Sequence, residues 1–142
     1  MLKTMNALHR GLMRASAGRL GRTLNGMPAL ELITIGRKSG QPRSSMLTAP
    51  LVRDSVYVVV ASRGGDDIHP AWLLNLQQNP SVRVAVQGRP PVAMRARVAS
   101  AVERAELWPQ VTERAPNYAT YQTRTSREIP LVLLEPAAES GS

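Results

Sequence analysis

The chain of 142 residues is 43% hydrophobic and carries a net charge of +8. These values fit one small domain with an anionic partner: nucleic acid, a membrane surface or a phosphorylated small molecule. The chain has no cysteine, which excludes disulfides, thiolate nucleophiles and cysteine-bound metal centres and is compatible with a cytoplasmic location. No stretch of about eighteen apolar residues occurs, so the sequence predicts no membrane-spanning helix.

The positive charge is concentrated at the N-terminus, where apolar residues also recur at helical spacing. The cations that precede the first acid, Glu31, are Lys3, Arg10, Arg14, Arg19 and Arg22. We therefore predict a basic amphipathic arm over residues 1–25 and a folded domain over residues 26–136 that begins at a turn. The polar tail, residues 137–142, is expected to be frayed.

Strands dominate the first half of the folded domain. Runs of apolar residues predict strands over residues 30–35, 44–52 and 56–61. The third run is continuously apolar, so this strand is expected at the centre of the sheet. A short helix over residues 71–78 follows and ends at Asn79-Pro80.

Strands and helices alternate in the second half. Valines at every second position predict a hairpin with strands over residues 82–86 and 92–98. Ser100 is expected to cap a helix, because Glu103 stands three positions further on. The later elements, in chain order, are this helix to about residue 114, a helical piece over residues 116–123 and a strand over residues 129–135. About six strands with helices at the ends predict a mainly β fold, a small barrel with peripheral helices.

Residues 36–43, the basic turn, combine a flexible backbone with cationic side chains. Gly36 and Gly40 allow backbone conformations in which successive N–H groups converge on one anion. The side chains that can add to such a site are Arg37, Lys38, Ser39 and Arg43. The alternative is a solvated hairpin turn with ordinary surface charges.

Residues 61–65, the glycine turn, have the same character. Ser62, Arg63 and the pair Gly64-Gly65 offer a hydroxyl, a cation and a flexible backbone at the end of a buried strand. Two such turns side by side would form a groove for a ligand with a polyanionic tail.

Five other side chains have both a functional and a packing interpretation. His69 can be a catalyst or only a helix-entry residue, and Trp72 can stack on a ligand or fill the core. Asn75 can hydrogen-bond to a ligand or cap its helix. Tyr118 and Tyr121 share a helical face, which suits either stacking and proton donation or packing of the helix onto the barrel.

The sequence lacks the motifs of most hydrolases. It has no GxSxG, P-loop or HExxH motif. Asp66 and Asp67 are adjacent, but neighbouring side chains on a loop diverge and no histidine pair completes a metal site, so none is predicted. Redox chemistry on a bound cofactor fits better, because the cofactor then carries the reactive atom.

Ordered motifs in this chain resemble the deazaflavin-dependent nitroreductase family. They are Thr34-Ile35-Gly36-Arg37-Lys38-Ser39-Gly40-Gln41-Pro42-Arg43, Val59-Val60-Ala61-Ser62-Arg63-Gly64-Gly65, His69-Pro70-Ala71-Trp72-Leu73-Leu74-Asn75-Leu76 and Tyr118-Ala119-Thr120-Tyr121-Gln122-Thr123-Arg124-Thr125, followed by Arg127-Glu128-Ile129-Pro130. The resemblance covers about residues 28–136. It implies a split β-barrel of the flavin-binding type that uses the deazaflavin coenzyme F420, with FMN as the less favoured cofactor.

The resemblance also assigns roles to residues. It implies that the phosphate and polyglutamate side of F420 is held by Arg37, Lys38, Ser39, Gly40, Arg43, Ser62, Arg63, Gly64 and Gly65. It implies that the deazaflavin side is lined by Ala61, Pro70, Trp72 and Asn75. Tyr118 and Tyr121 would face the acceptor, with Tyr121 as proton donor or positioning group. Residues 44–48 depart from the polar-Asn-Pro-Leu-aromatic pattern of many relatives, so a more open acceptor side is expected.

The expected function is therefore an F420H2-dependent reductase that transfers hydride to a quinone, an activated alkene or a nitroaromatic compound. The alternatives are an FMN-dependent split-barrel oxidoreductase and a protein that binds F420 or a lipid surface without turnover. No nucleic-acid partner is expected, because the strands lack interleaved aromatic residues for base stacking. Residues 1–24 match the basic N-terminal stretch of the family, which implies peripheral contact with anionic lipid on the inner face of the cell membrane. The assembly can be a monomer or a homodimer.

Overall fold

The structure is a computed structural model that describes residues 23–24, 27–86 and 88–137. Its strands are β1 (Thr23–Leu24), β2 (Met27–Ile35), β3 (Pro42–Thr48), β4 (Leu51–Arg53), β5 (Val56–Val60), β6 (Ser81–Val86), β7 (Val92–Val98) and β8 (Leu131–Pro136). Its helices are α1 (Ala71–Gln78), α2 (Ala101–Arg114) and α3 (Asn117–Thr123), and Arg63–Gly65 forms a 3₁₀ turn. Most of the predicted N-terminal arm and residues 138–142 of the predicted tail lie outside the described residues.

The described strands pair antiparallel in one curled sheet. Their order is β3-β2-β6-β7-β8-β5-β4, and β1 pairs only with the start of β2. The two edge strands, β3 and β4, are consecutive in the chain and only Ala49-Pro50 separates them. Both edges of the sheet must therefore approach one another, which curls it into a half-barrel. This confirms the predicted mainly β, split-barrel fold with peripheral helices.

Three predictions about the strands were wrong. The predicted strand over residues 44–52 is two strands, because at Ala49-Pro50 the chain leaves its pairing with β2 and pairs instead with β5. With the short β1, the described residues form eight strands rather than about six. Strand β5 lies next to the edge strand β4, not at the centre of the sheet.

The continuous apolar run of β5 instead reflects burial on both faces. On one face, Val59 packs inside the barrel with Leu134 of β8 and with Trp72 and Leu76 of α1. On the other face, Val58 and Val60 belong to a second core, which Leu107 and Trp108 of α2 and both tyrosines of α3 pack against. A strand buried on both faces shows no polar alternation, as observed here.

Local signals placed the helices well. Helix α1 has the predicted bounds, with Pro70 before it and Asn79-Pro80 after it. Helix α2 begins with the predicted capping box, in which the Ser100 side chain accepts from the Glu103 backbone N–H and the Glu103 side chain accepts from the Ser100 N–H.

Candidate functional site

The basic turn closes the β2–β3 hairpin, whose last paired residues are Ile35 and Pro42. The Gly36 N–H donates to the Gln41 carbonyl at 2.8 Å, and the Gly40 N–H donates to the Gly36 carbonyl at 2.8 Å. Gly40 has φ +72°, a conformation that favours glycine. The two predicted glycines therefore do bend the turn back on itself.

The Ser39 hydroxyl oxygen organises the inside of this turn. It accepts from the Gln41 N–H at 3.1 Å and from Nη2 of Arg43 at 3.2 Å. A side chain at Gly36 would place its Cβ 2.7 Å from this oxygen, so it would displace the Ser39 hydroxyl from its position inside the turn. Ser39 thereby holds the Arg43 guanidinium against the turn.

Asn75 fixes the basic turn to α1. Its Oδ1 accepts from both the backbone N–H and Nη1 of Arg37, each at 3.1 Å, and its Nδ2 donates to Oγ1 of Thr34 at 3.1 Å. Asn75 is only 3% exposed and Thr34 is fully buried. The amide of Asn75 is thus used within the protein, where it positions Arg37.

The outer surface of the basic turn suits an anion. Arg37, Lys38 and Arg43 are exposed, and none of them has a carboxylate partner among the described residues. The backbone N–H groups of Lys38 and Ser39 likewise have no acceptor in the described part of the chain. Unpaired cations and free amides on one turn are a donor set for phosphate or carboxylate oxygens.

The glycine turn presents its backbone instead. Ser62 is right-handed helical, with φ −82° and ψ −35°, and Arg63 follows with φ +46°. This sequence of conformations forms a nest, a concavity in which successive N–H groups converge on an anion. The N–H groups of Ser62, Arg63 and Gly64 have no acceptor among residues 23–24, 27–86 and 88–137. The left-handed conformation of Arg63 costs about 1–2 kcal/mol, so other contacts must stabilise it.

Gly65 brings the glycine turn against α3. Its φ is +83°, and a Cβ at this position would lie 2.6 Å from the Tyr121 carbonyl oxygen and 3.0 Å from the Tyr121 Cα. The guanidinium of Arg124, just after α3, also donates to the Gly64 carbonyl at 3.3 Å. Only glycine permits this approach between the turn and the tyrosine helix.

The two predicted tyrosines form a pair on α3. Their ring centroids lie 5.9 Å apart with an interplanar angle of 74°, an edge-to-face contact. The Tyr118 hydroxyl lies 3.5 Å from Oγ1 of Thr48 at the end of β3, and burial raises the pKa of Tyr118. The Arg124 guanidinium lies 5.4 Å from the centre of the Tyr121 ring. Both rings also pack against the second core, so the packing interpretation of the pair holds as well.

The four residues expected along the deazaflavin are all buried. Ala61 is fully buried, Pro70 is buried, and Trp72, 8% exposed, belongs to the barrel core as the packing interpretation had it. These three residues and Asn75 are therefore part of the buried interior next to the two turns. The basic turn is bonded to Asn75 of α1, and the chain runs from the glycine turn through Pro70 into Ala71, the first residue of the same helix. Helix α1 therefore links both turns.

Arg127, the first residue of the motif Arg127-Glu128-Ile129-Pro130, contacts the glycine turn, although the sequence predicts no site role for it. Its guanidinium donates from Nε to the Asp66 carbonyl at 2.8 Å, from Nη1 to the Ala61 carbonyl at 3.2 Å and from Nη2 to the Ser62 carbonyl at 2.8 Å. Nη1 also contacts Nδ1 of His69 at 2.9 Å. Since these partners precede Arg127 by about 60 positions, spacing along the chain gives no signal of the contact.

Two further properties of the described residues bear on function. None of their helices is long and apolar enough to cross a membrane. Their His, Cys, Asp and Glu side chains include no group of three or more that could hold a metal ion.

A curled antiparallel sheet with peripheral helices defines a split-barrel domain, and the donors of the basic turn and the glycine turn that lack partners among the described residues suit an anionic ligand. The family model described as F420H(2)-dependent quinone reductase matches residues 6–136. The chain belongs to this family, which confirms the predicted deazaflavin-dependent oxidoreductase with F420 as hydride donor.

Individual relatives and solved structures support this family assignment. An F420H(2)-dependent quinone reductase of Mycobacterium tuberculosis is 41% identical over 130 residues, which cover 89% of this chain and 87% of the relative. The solved structure of the F420-H2 dependent reductase FDR-A is 38% identical with a TM-score of 0.64, and the match covers 76% of this chain and 94% of that one. A solved structure described as a domain-swapped dimer is 32% identical with a TM-score of 0.67, covering 93% of this chain and 99% of that one.

The donor groups fit F420. The phosphate and glutamate tail of this cofactor carries several negative charges, and the basic turn offers cations without carboxylate partners in the described part of the chain. The glycine turn adds backbone N–H groups without acceptors there.

Proposed function

We propose that this protein reduces a quinone with hydride from F420H2. The overall reaction is balanced: F420H2 loses a hydride and a proton, the quinone gains both, and F420 and a hydroquinone result. The observation that supports the proposal is that both turns expose donors without acceptors in the described part of the chain. The basic turn is bonded to Asn75 of α1, and the glycine turn contacts α3, the helix that carries both tyrosines. When bound, F420H2 would supply the hydride. The residues of the protein would bind the cofactor, orient the acceptor and donate a proton to it.

The two turns would bind the acidic tail of the cofactor. Arg37, Lys38 and Arg43 provide charge, and the Ser39 hydroxyl, which accepts two hydrogen bonds, still has its own hydrogen to donate. The glycine turn would add the N–H groups of its nest. The buried Ala61, Pro70 and Trp72 would supply apolar packing, and Asn75 would act by positioning Arg37.

The tyrosine pair would serve the acceptor. Because burial raises the pKa of Tyr118, its hydroxyl stays protonated at neutral pH and can donate to a quinone oxygen. We propose Tyr121 as the second group at this position, where it donates the proton or orients the acceptor. Its backbone is fixed by the contact with Gly65, and its ring by Tyr118 and Arg124.

Titration with F420 tests the cofactor. Purified protein should change F420 fluorescence in a saturable manner, and F420H2 should be oxidised only when a quinone such as menadione is added. Binding of FMN without binding of F420 would contradict the proposal. Binding of F420 without quinone-dependent oxidation would indicate a carrier instead of an enzyme.

We also propose that residues 1–24 contact an anionic membrane surface, where a lipid-soluble quinone would be available. The support is the cationic, amphipathic sequence. Deletion of residues 1–24 should abolish sedimentation with vesicles that contain anionic lipid, while F420 binding is retained. Vesicle binding by the truncated protein would refute this role for the arm.

A further inference from the structure

The guanidinium of Arg127 lies behind the glycine turn and uses four of its five N–H donors there. Three go to the backbone carbonyls of Ala61, Ser62 and Asp66, and the fourth goes to His69. No other side chain described in the structure holds this turn by so many hydrogen bonds. Arg124 adds one longer bond, to the Gly64 carbonyl at 3.3 Å.

The direction of these carbonyls determines the direction of the neighbouring N–H groups. In a trans peptide unit, the carbonyl of one residue and the N–H of the next point to opposite sides. The Ala61 and Ser62 carbonyls point to Arg127, so the N–H groups of Ser62 and Arg63 point away from it. Those are two of the three N–H groups of the nest, and they have no acceptor among the described residues.

The contact with Arg127 also fixes the tautomer of the His69 imidazole. A guanidinium can only donate, so Nδ1 of His69 must accept. The imidazole is therefore neutral, with its hydrogen on Nε2. Arg127 thus ties together both ends of the segment from Ala61 to His69, which contains the left-handed residues Arg63, Gly64 and Gly65.

Arg127 is itself anchored from the helical side. Nε2 of Gln122 donates to the Arg127 carbonyl at 2.7 Å, and Oε1 of Gln122 accepts from the Ile129 N–H at 2.9 Å. Arg104 of α2 donates to the same Oε1 at 3.1 Å. The guanidinium therefore acts from a fixed backbone position.

We propose that Arg127 is a positioning residue that holds the carbonyl groups of the glycine turn behind the nest, so that its N–H groups face an anion, and thereby sets the affinity for F420. The anionic ligand rests on the proposed function, whereas the ordering of the turn does not. Arg127 acts through the backbone and need not touch the cofactor.

The experiment uses the full chain with Arg127→Gln and Arg127→Lys. The control is Arg97→Gln, because Arg97 also makes several charged hydrogen bonds, to Glu103 and Glu135, but none to the glycine turn. Amide hydrogen exchange of Gly65 and Asp66 is measured without ligand, since both N–H groups bond within the turn, to Ser62 and Arg63. Affinity for F420 is measured by fluorescence, and inorganic phosphate serves as a second anion in the exchange experiment.

Arg127→Gln should speed exchange at Gly65 and Asp66 and weaken F420 binding about tenfold or more, as expected for loss of charged hydrogen bonds. Phosphate should slow exchange in the glycine turn of the parent protein but not of this variant. Arg127→Lys should recover only part of the affinity, because one ammonium cannot reach all the carbonyls. Arg97→Gln should lower thermal stability while F420 affinity and exchange in the turn stay unchanged.

Unchanged exchange and F420 affinity in Arg127→Gln would overturn this inference while the proposed function stands. An equal loss of affinity in Arg97→Gln would also overturn it, because the effect would then reflect general stability. Failure of the parent protein to bind F420 would contradict the proposed function, and exchange with and without phosphate would still decide the role of Arg127. If Arg127→Gln does not fold, Arg127→Lys replaces it. Reduced F420 affinity and faster exchange in Arg127→Lys but not in Arg97→Gln would then support the inference, and unchanged values in Arg127→Lys would overturn it.

Discussion

The basic turn and the glycine turn differ in the hydrogen-bond donors that they expose. The basic turn is a hairpin closed by its own backbone and by Ser39, and it exposes three cations without a described carboxylate partner. In the glycine turn, the one cation, Arg63, is paired with Asp66 at 2.9 Å, and the free groups are backbone N–H groups. The basic turn thus offers mainly the charge of its side chains, and the glycine turn offers mainly its backbone N–H groups. Substitutions should affect the two through different physical causes.

The largest effect is expected from Gly65→Ala, which breaks only the glycine turn. The added Cβ would meet the Tyr121 backbone at 2.6 Å in a conformation with φ +83°, so the turn must separate from α3. We expect a loss of about 2 kcal/mol or more in the free energy of unfolding, measured with urea. Gly64→Ala is the control, because its Cβ meets nothing within 4 Å, and it should cost only about 1 kcal/mol. Equal losses of unfolding free energy in both variants would show that the approach of Gly65 to the Tyr121 backbone does not contribute to stability.

Asn75→Ala should have the next largest effect, and it acts on the basic turn. It leaves the buried Thr34 hydroxyl and the Arg37 N–H without their partner, at a cost of about 1–3 kcal/mol in unfolding free energy. F420 affinity should fall as well, because Arg37 loses its anchor. Asn79→Ala, at the half-buried residue just after α1, is an amide control that should leave F420 affinity intact, because Asn79 bonds to the Ser81 N–H and not to the basic turn. Wild-type F420 affinity in Asn75→Ala would argue against a positioning role.

Neutralising one cation in each turn tests whether F420 affinity depends more on side-chain charge in the basic turn than in the glycine turn. Lys38→Gln should weaken F420 binding by about threefold to tenfold and make it less sensitive to salt, since an exposed unpaired cation acts through its charge. Arg63→Gln should have a smaller effect, because Asp66 already compensates the charge of Arg63. Fluorescence titrations at two salt concentrations measure both. A larger loss in Arg63→Gln would reverse the assignment of charge to the basic turn.

The sequence predicted elements with local signals better than contacts across the fold. Proline and asparagine-proline boundaries placed α1, and a capping box placed α2. The switch of partner at Ala49-Pro50 was missed, because a continuous β pattern does not show that the sheet closes on itself. Glycines and cations marked both turns. By contrast, the bond between Arg37 and Asn75 joins positions 38 apart, and the four contacts of Arg127 span still more of the chain, so no local pattern indicates them.

The smallest effect expected is a pH dependence confined to the glycine turn. Burial, and then the charge of Arg127, lower the pKa of His69 below its usual 6.5. The unfolded chain therefore takes up a proton as the pH falls through about 6.5, while the folded protein resists it, so stability falls on acidification within this window. Above the window His69 adds no pH dependence.

Urea unfolding at pH 7.5 and at pH 5.5 measures this effect, with His69→Gln as the matched variant. The glutamine can still accept from Arg127 but does not titrate, so His69→Gln should lose less stability on acidification than the parent protein. Arg127 is the charged group in contact with His69, and Asp66, Asp67 and Arg63 are the charged groups that act on Arg127. F420 affinity should show the same difference between the two proteins, because protonated His69 can no longer accept from Arg127. An identical acid response in both proteins would mean that His69 does not couple proton uptake to the glycine turn.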